Sequence, residues 1–420
     1  MMKQAVNRRP RVLVIAYECS PVRGHAPGAA WQFVSRLAEK FDVHVVTEER
    51  QYRSEIEAHF RAASESCSTL KFSFIPGRPK KYSWRPVLPI RSMFEYRRWH
   101  DRTYQVARML HASEPFDLVH LLRSNSFREP GLCWKLPVPF IWGPFGGTNY
   151  VPTTFLVSMS PKDAIVHIAR RAVNWLQLRG YARVRRALKG AAAIISQSSD
   201  DARRLSRAYG ISPIVIHEQN CQPSAKFVVR QYAGERKIRV VWPGQFVARK
   251  GFPLLIDALA KCKNTERIEV TVAGNGPLRD AWRSHAEKRG VGKQIRWLGW
   301  VESGEMQKIM TESDLMVFTS YLEGTSAAVM EALSSGLPIV ALRSCGHADV
   351  LDESCGALID GGSYSGAVEQ LAQVLDRYVE VPDLVEAASR CAFRRAVEFS
   401  WDAAAERVAQ LYWSAVSRSV

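Results

Sequence analysis

Short β-rich runs alternate with longer helical segments along the first half of the chain, and the alternation restarts beyond residue 236. In the first half the runs are RVLVIAY (11–17), DVHVVTEE (42–49), LKFSFIPG (70–77), DLVHLL (117–122), PFIWGPFGG (139–147) and AAIISQS (192–198). Between them lie GAAWQFVSRLAEKF (28–41), SMFEYRRWHDRTYQVARMLHAS (92–113) and the basic IARRAVNWLQLRGYARVRRALKG (168–190). Strands that alternate with helices predict a parallel sheet covered on both faces. The second half repeats the pattern with IRVVWPG, IEVTVAG, IRWLGW, DLMVFTS and LPIVAL.

The reading is therefore α/β, with two Rossmann-like domains facing across a cleft. A chain of 420 residues is long enough for two cores. Residues 219–236 (QNCQPSAKFVVRQYAGER) are polar and contain Pro and Gly, which marks a linker. The expected domains are 1–225 and 226–395. The final segment, 396–420, is expected to form a helix returning to the first domain. In such sheets ligands bind at the carboxyl ends of the strands.

Composition removes several classes. No run of eighteen apolar residues is present, so no membrane-spanning helix is expected. The apolar run Val12–Tyr17 is too short for a signal sequence and ends in Glu18. Eight cysteines occur without a CxxC pair or metal-ligand spacing, which suits a reducing cytoplasm and predicts no metal site. Charge is divided unevenly. Residues 1–230 hold 36 basic and 17 acidic residues, a net of +19, whereas 231–420 hold 22 and 24. The first half is expected to face an anionic partner, and Lys162, Arg170, Arg171, Arg179, Arg183, Arg185, Arg186 and Lys189 make the stretch before residue 190 the candidate face. A solvated charged surface is the plainer alternative.

The stretch EGTSAAVMEALSSGLPIVA (323–341) carries the most chemistry. DLMVFTS reads as a buried strand, Thr325 or Ser326 as an N-cap, AAVMEALSS as a helix and GLP as its stop. A helix N-terminus offers backbone N–H groups and a partial positive charge to phosphate. Gly324 lets a ligand approach the backbone. Glu323 and Glu331 would then accept hydrogen bonds from sugar hydroxyls. The alternative is a turn-capping Glu323 and a solvated Glu331.

Glu323 to Glu331, with the following ALSSGLPIVA, resembles the E-x7-E element of retaining glycosyltransferases of family 4, which have the GT-B fold. VVWPGQFVARKGFPLLIDALA resembles that family's phosphate-binding segment, VAGNGP its following glycine loop and IRWLGWV its base-contacting loop. AYECSPVRGHAPGAAWQFV resembles the glycine-containing first loop, and REPGLCWKLPVPFIWGPFGGTNYVP is similar to one bacterial subgroup, of polysaccharide type.

The resemblance implies roles. Glu331 would bind the nucleotide ribose, Glu323 would lie near the donor sugar, and Gly324, Thr325 and Ser326 would face sugar and diphosphate. Lys250 matches the family's phosphate-binding lysine, but Gln245 stands after Gly244 where an arginine is usual, and Arg249 is the candidate replacement. Gly274, Asn275 and Gly276 with Gly299 and Trp300 would complete the donor side. His120 maps to a histidine near the donor sugar, with a structural histidine as the alternative. Arg23, Gly24, Gly28, Gly146, Gly147 and Asn149 would form the acceptor side.

The implied activity is transfer of a sugar, of hexosyl type, from a nucleotide-diphosphate sugar to a saccharide acceptor, with retention. The basic first half suggests a lipid-diphosphate-linked acceptor at the inner membrane face, with the enzyme cytoplasmic and peripheral. No cofactor or metal is expected, because the helix N-terminus and Lys250 supply positive charge. Two alternatives stand beside this reading: a sugar-nucleotide epimerase or phosphorylase on the same fold, and a basic nucleic-acid-binding protein, for which no recognised module is present.

Overall fold

The structure is a computed structural model that describes residues 8–62, 69–77, 90–122 and 126–418. The chain packs as two compact units. One comprises residues up to Thr148, Leu176–Gln219 and the segment from Trp401 onward; the other comprises Asn149–Trp175 and Asn220–Ser400. The single cuts expected after residues 225 and 395 therefore differ from this division, because the chain leaves the first unit at residue 149 and returns at 176. The departure has a packing cause: Phe155 is buried in the second unit's core, stacked on Tyr321 at 4.5 Å.

The first unit is built on seven parallel strands: β1 (Arg11–Ile15), β2 (Asp42–Glu48), β3 (Leu70–Ile75), β4 (Leu118–Leu122), β5 (Phe140–Phe145), β6 (Ala193–Ser196) and β7 (Ile214–Val215). Their order is β3-β2-β1-β4-β5-β6-β7. Every residue of β1, β4 and β5 is buried, as a sheet covered on both faces requires. The C-terminal helix Trp401–Ser417 packs on the helix His25–Leu37 of the same unit. Trp401 meets Phe33 edge-on at 5.4 Å, and Tyr412 meets Phe41 at 5.2 Å. Ion pairs from Arg36 to Asp402 and from Lys40 to Glu406 flank this seam. With at least one partner of each pair exposed, they add little beside the aromatic burial.

The second unit holds β8 (Ile238–Pro243), β9 (Ile268–Ala273), β10 (Ile295–Gly299), β11 (Leu315–Phe318), β12 (Ile339–Leu342) and β13 (Gly356–Ile359) in the order β10-β9-β8-β11-β12-β13, all parallel. The chain runs outward from β8 to β10 and then returns to the other side of β8 at β11. The point where the strand order reverses therefore lies between β8 and β11, where an open α/β sheet leaves its ligand crevice.

Two sequence expectations change here. The basic stretch 168–190 is not one helix. Pro161–Gly180 and Ala182–Gly190 are separated at Tyr181, whose backbone is extended (φ −83°, ψ 92°). The polar stretch 219–236 is not a loose connector, because Arg230 ties it to the second unit. The Arg230 guanidinium donates to the carbonyls of Thr311 (2.7 Å), Ser313 (2.6 Å), Ser335 and Gly336 (3.2 Å each). Those carbonyls lie at the C-terminal ends of the helices Ser303–Glu312 and Ala327–Ser334, where a cation is favoured. Burial lowers the Arg230 pKa to about 10.

Candidate active site

Three buried polar contacts fold the loop after β8 against the loop after β11. The Trp242 indole N–H donates to Thr319 Oγ1 (2.9 Å), and that hydroxyl donates to the Lys250 carbonyl (3.0 Å). The Tyr321 backbone N–H donates to the Arg249 carbonyl (2.8 Å). Gly251 makes the approach possible. Its φ is +64°, and an added Cβ would come 2.4 Å from the Thr319 carbonyl oxygen and 2.6 Å from the Tyr321 ring.

Lys250, Arg249 and Glu323 converge at this junction. Lys250 Nζ pairs with Glu323 Oε1, and Arg249 Nη1 donates to the same oxygen at 2.6 Å. Ser320 Oγ also reaches Oε1 (3.2 Å), and Arg249 Nη1 additionally donates to the Leu322 carbonyl (3.1 Å). Among the described residues all of these side-chain bonds to Glu323 end on Oε1, and none is made by Oε2. Burial alone would raise the Glu323 pKa, but Lys250 and Arg249 outweigh it and hold the carboxyl at about 2. Burial pulls the Lys250 pKa down, against the pull of Glu323 in the opposite direction. Lys250 Nζ also lies 5.0 Å from the Phe318 ring centroid. Adjacent side chains on a chain ordinarily point in different directions. In the short 3-10 turn Ala248–Lys250, Arg249 and Lys250 instead both reach one carboxylate.

The helix after Glu323 spans Ala327–Ser334, with Ser326 at its N-cap and no side-chain cap hydrogen bond. Thr325 and Ser326 are buried. Glu331 lies in the second turn, exposed, and among the described residues its carboxylate has no hydrogen-bond or ion-pair partner. Partial burial raises its pKa, an effect limited by the solvent that still reaches it.

The glycine loops press together beside this junction. The Gly244 N–H donates to the Ala273 carbonyl (2.9 Å), and a Cβ on Gly274 would come 1.8 Å from the Gly244 carbonyl oxygen. The Asn275 carbonyl accepts from the Phe246 N–H (2.9 Å), and its side-chain oxygen from the Gly276 N–H (2.8 Å). Gln245 is half-buried, and among the described residues its amide side chain makes no hydrogen bond. At the end of β10, Gly299 turns with φ +79° and Trp300 is 71% exposed. Trp297 instead packs on Phe246 and Phe252, at 5.7 and 5.3 Å.

The sequence did not point to the helix Pro161–Gly180 as part of this neighbourhood. Partial burial and the like charge of Arg249 lower the Arg170 pKa, which puts Arg170 within electrostatic reach of Arg249. Ser158 Oγ bonds Tyr321 Oη at 2.9 Å and fastens the segment to the same loop. A cavity of about 330 Å³ lies nearby, lined by Ser158, Asp163, Ala248, Asp257, His285 and Tyr364 among others.

His120, the histidine candidate for catalysis, has its ring occupied on both sides. It is fully buried inside β4, and both ring nitrogens are engaged, Nδ1 with Tyr412 Oη and Nε2 with the Gly143 carbonyl, each at 2.6 Å. Burial lowers its pKa to about 4, so the ring is neutral: Nε2–H donates to the carbonyl and Nδ1 accepts from the tyrosine.

The acceptor-side candidates are not gathered into one unit. Arg23, Gly24, Gly28, Gly146 and Gly147 belong to the first, Asn149 to the second. Arg23 Nε donates to Glu55 Oε1 (2.8 Å), with the guanidinium over the Tyr52 ring at 5.1 Å. Gly24 stands at the N-cap of the helix His25–Leu37 with open space where a side chain would be. Gly28 and Gly146 serve packing, since a Cβ would overlap the Arg23 carbonyl and the Gln197 amide. Gly147 has φ +85°, and the Asn149 carbonyl faces Asn174 Nδ2 at 3.5 Å. Among the described residues no group of three or more His, Cys, Asp or Glu side chains could hold a metal, and no helix could cross a membrane.

Residues 227–391 match the family model described as glycosyl transferases group 1. The D-inositol 3-phosphate glycosyltransferase of Corynebacterium glutamicum is 30% identical over 190 residues, 42% of this chain and 44% of that protein. The lipopolysaccharide glucosyltransferase WaaG of Escherichia coli is 28% identical over 158 residues, 36% of this chain and 41% of that protein. The chain thus spans less than half the length of these two curated relatives. Similarity to solved structures extends over the whole fold. Anabaena HepE, solved with UDP and glucose, superposes with a TM-score of 0.61 at 16% identity, covering 97% of this chain and 100% of that one. The lipopolysaccharide outer core galactosyltransferase WaaB gives 0.66 at 14% identity, covering 96% and 99%. The segment that matches the group 1 glycosyl transferases thus lies on the second of the two Rossmann-like sheets, and the chain shares the GT-B fold of these solved structures.

Proposed function

We propose that the protein transfers a sugar, of hexosyl type, from a nucleotide-diphosphate sugar to a saccharide acceptor with retention of configuration. The observation that carries this reading is the meeting of Lys250, Arg249 and Glu323 where the strand order of the second sheet reverses, beside a helix N-terminus without a side-chain cap. The solved relative HepE, whose structure holds UDP and glucose, supports a nucleotide-sugar donor.

Cleavage of the glycosyl–phosphate bond leaves negative charge on the departing diphosphate. Lys250, Arg249 and the N–H groups at the helix start stabilise that charge as it develops, more than in the ground state. Positive charge comes from these groups, so the reading needs no metal ion. Glu323 Oε1 is held by the two cations, leaving Oε2 to accept from a donor-sugar hydroxyl. Glu331, exposed and unpaired, takes the vicinal ribose hydroxyls. Trp300 and Gly299 flank the base, and Gln245 offers a neutral amide to the phosphates. The departing phosphate takes the proton of the acceptor hydroxyl. The acceptor is a saccharide carried on a lipid diphosphate, used at the inner face of the cell membrane by a cytoplasmic enzyme. The basic first half and the lipopolysaccharide glycosyltransferases among the relatives support this.

A thermal-shift panel of nucleoside diphosphates and sugar nucleotides tests the donor. A ligand at about a hundredfold over its Kd stabilises by roughly 2.7 kcal/mol. A panel without any shift would sink the reading.

A further inference from the structure

The helix Pro161–Gly180 exposes a row of large apolar residues. Ile165, Ile168 and Trp175 are 66%, 54% and 54% exposed, and Ala172 is exposed between them. These positions follow one another at intervals of three, four and three, which puts them on one helix face. Val157, just before the helix, is 73% exposed. Isolated apolar side chains on a surface need no explanation, but a stripe along three turns does.

The stripe is bordered by cations. Lys162 and Arg171 are both exposed, and Arg171 is held in place with its guanidinium 4.4 Å from the Tyr150 ring centroid. The helix has four basic residues, Lys162, Arg170, Arg171 and Arg179, against the single acid Asp163. Asp163 is occupied at the helix start, where Oδ2 accepts from Ser160 Oγ at 2.7 Å. The shorter helix that follows offers no comparable face. Val184, Ala187 and Leu188 are buried there, and Arg183 is engaged with Glu129 (2.9 Å) and the Gly131 carbonyl (3.2 Å).

We propose that this face of the helix Pro161–Gly180 docks on an anionic lipid bilayer, lying parallel to the surface. Ile165, Ile168 and Trp175 enter the boundary between headgroups and acyl chains, and Lys162 and Arg171 meet anionic headgroups. Tryptophan suits that depth, with an apolar body and a polar N–H. A second copy of the chain fits less well, because a two-fold contact through the stripe would set the basic border of one copy near that of the other. The proposal rests on the membrane-surface part of the function proposed above and assigns it to a surface.

The test uses the full chain and flotation with vesicles of phosphatidylcholine alone or with 30% phosphatidylglycerol. Wild type is expected to bind the anionic vesicles and to bind less as salt rises. Ile168→Glu with Trp175→Glu should weaken binding on the order of tenfold or more, since it replaces two anchors with charges that the lipid repels. The variant's melting temperature and its thermal shift with nucleotide should match wild type, both positions being exposed. A more conservative pair, Ile168→Ser with Trp175→Ser, should give a smaller loss in the same direction. If wild type binds anionic vesicles and both variants bind equally well, the face is wrong while the membrane reading survives. If wild type binds neither vesicle type, both fall together, and the nucleotide shift still reports on the transferase reading. If the protein is instead a dimer that the Glu variant converts to monomer, a second copy covers the stripe and the proposal is overturned.

Discussion

Lys250 and Glu323, 73 residues apart, form an ion pair whose side chains are 11% and 17% exposed, joining the loop after β8 to the loop after β11. Lys250→Ala removes this cation but leaves Arg249 on the same carboxylate, so the fold should survive. Its loss from a departing diphosphate removes a charge-assisted bond worth roughly 1.5–3 kcal/mol, which lowers kcat on the order of tenfold to a hundredfold. Turnover at saturating donor measures this, with a thermal scan confirming folding. Unchanged turnover would take Lys250 out of the mechanism.

The same pair predicts a pH effect on stability. The Glu323 carboxyl is held at about 2 in the folded chain, below the ordinary 4.5. A depressed carboxylate contributes stability that is fully present above the unfolded value and is lost as pH falls through 4.5 toward 2. The contribution at neutral pH has an upper bound of roughly 3–4 kcal/mol. Glu323→Gln should therefore melt well below wild type at pH 7, and the gap should narrow on acidification. A gap that stays constant down to pH 3 would contradict the assignment.

Glu331 stands apart from that network. Its carboxylate has no partner among the described residues, and the proposed role is to hold ribose in ground state and transition state alike. Glu331→Gln should then raise the donor KM with little change in kcat, the signature of lost uniform binding. Initial rates over a range of donor concentrations separate the two. A collapse of kcat at constant KM would exchange the roles assigned to Glu323 and Glu331.

The strand runs that were legible in the sequence share a feature. Each reads as an apolar-rich run of six residues or more, and β1, β4 and β5 have no exposed residue. The two unread strands lack that signal. β7 has two residues, both half-buried, and β13 reads GALI with three of four half-buried. Chemistry was legible where residue type and spacing sufficed, as for the carboxylates eight apart around a helix start. It was not legible where the outcome depended on which long side chains meet. Arg249 and Lys250 converge on Glu323 because the Tyr321 N–H fixes the Arg249 carbonyl and Thr319 fixes that of Lys250. Arg230 illustrates the reverse error: in a polar stretch it reads as linker charge, yet it closes the ends of two helices.

Gly251 holds that loop pair at its spacing. Gly251→Ala would place a methyl within 2.4 Å of the Thr319 carbonyl oxygen, on a backbone with φ +64°. Backbone strain of this kind costs roughly 1–3 kcal/mol, and the clash adds to it. The expected result is a lowered melting temperature together with a fall in kcat, because Lys250 precedes the strained residue. Calorimetry and donor kinetics on one preparation check both. A wild-type melting temperature would mean that the loops separate without cost.

His120 is bonded on both sides within the first unit. Its neutral ring donates from Nε2 to the Gly143 carbonyl and accepts at Nδ1 from the Tyr412 hydroxyl, all of it buried. Tyr412→Phe removes the only donor that the structure gives Nδ1 among the described residues. An orphaned buried acceptor costs roughly 1–3 kcal/mol, so the melting temperature should fall. Activity per folded molecule should not change, because the pair is buried and ties the C-terminal helix to the sheet. The sign of the pH effect follows from the depressed pKa of about 4. Between 6.5 and 4 the unfolded chain takes up a proton that the folded chain refuses, so acidification through that range erodes stability. His120→Leu removes the titration and leaves both the Gly143 carbonyl and the Tyr412 hydroxyl unpaired. It should therefore melt lower than Tyr412→Phe at pH 7.5 and lose less on going to pH 5 than wild type does. Melting curves at the two pH values, paired with turnover at saturating donor, decide the matter. A large fall in kcat for His120→Leu at temperatures where it remains folded would return the histidine to the reacting centre.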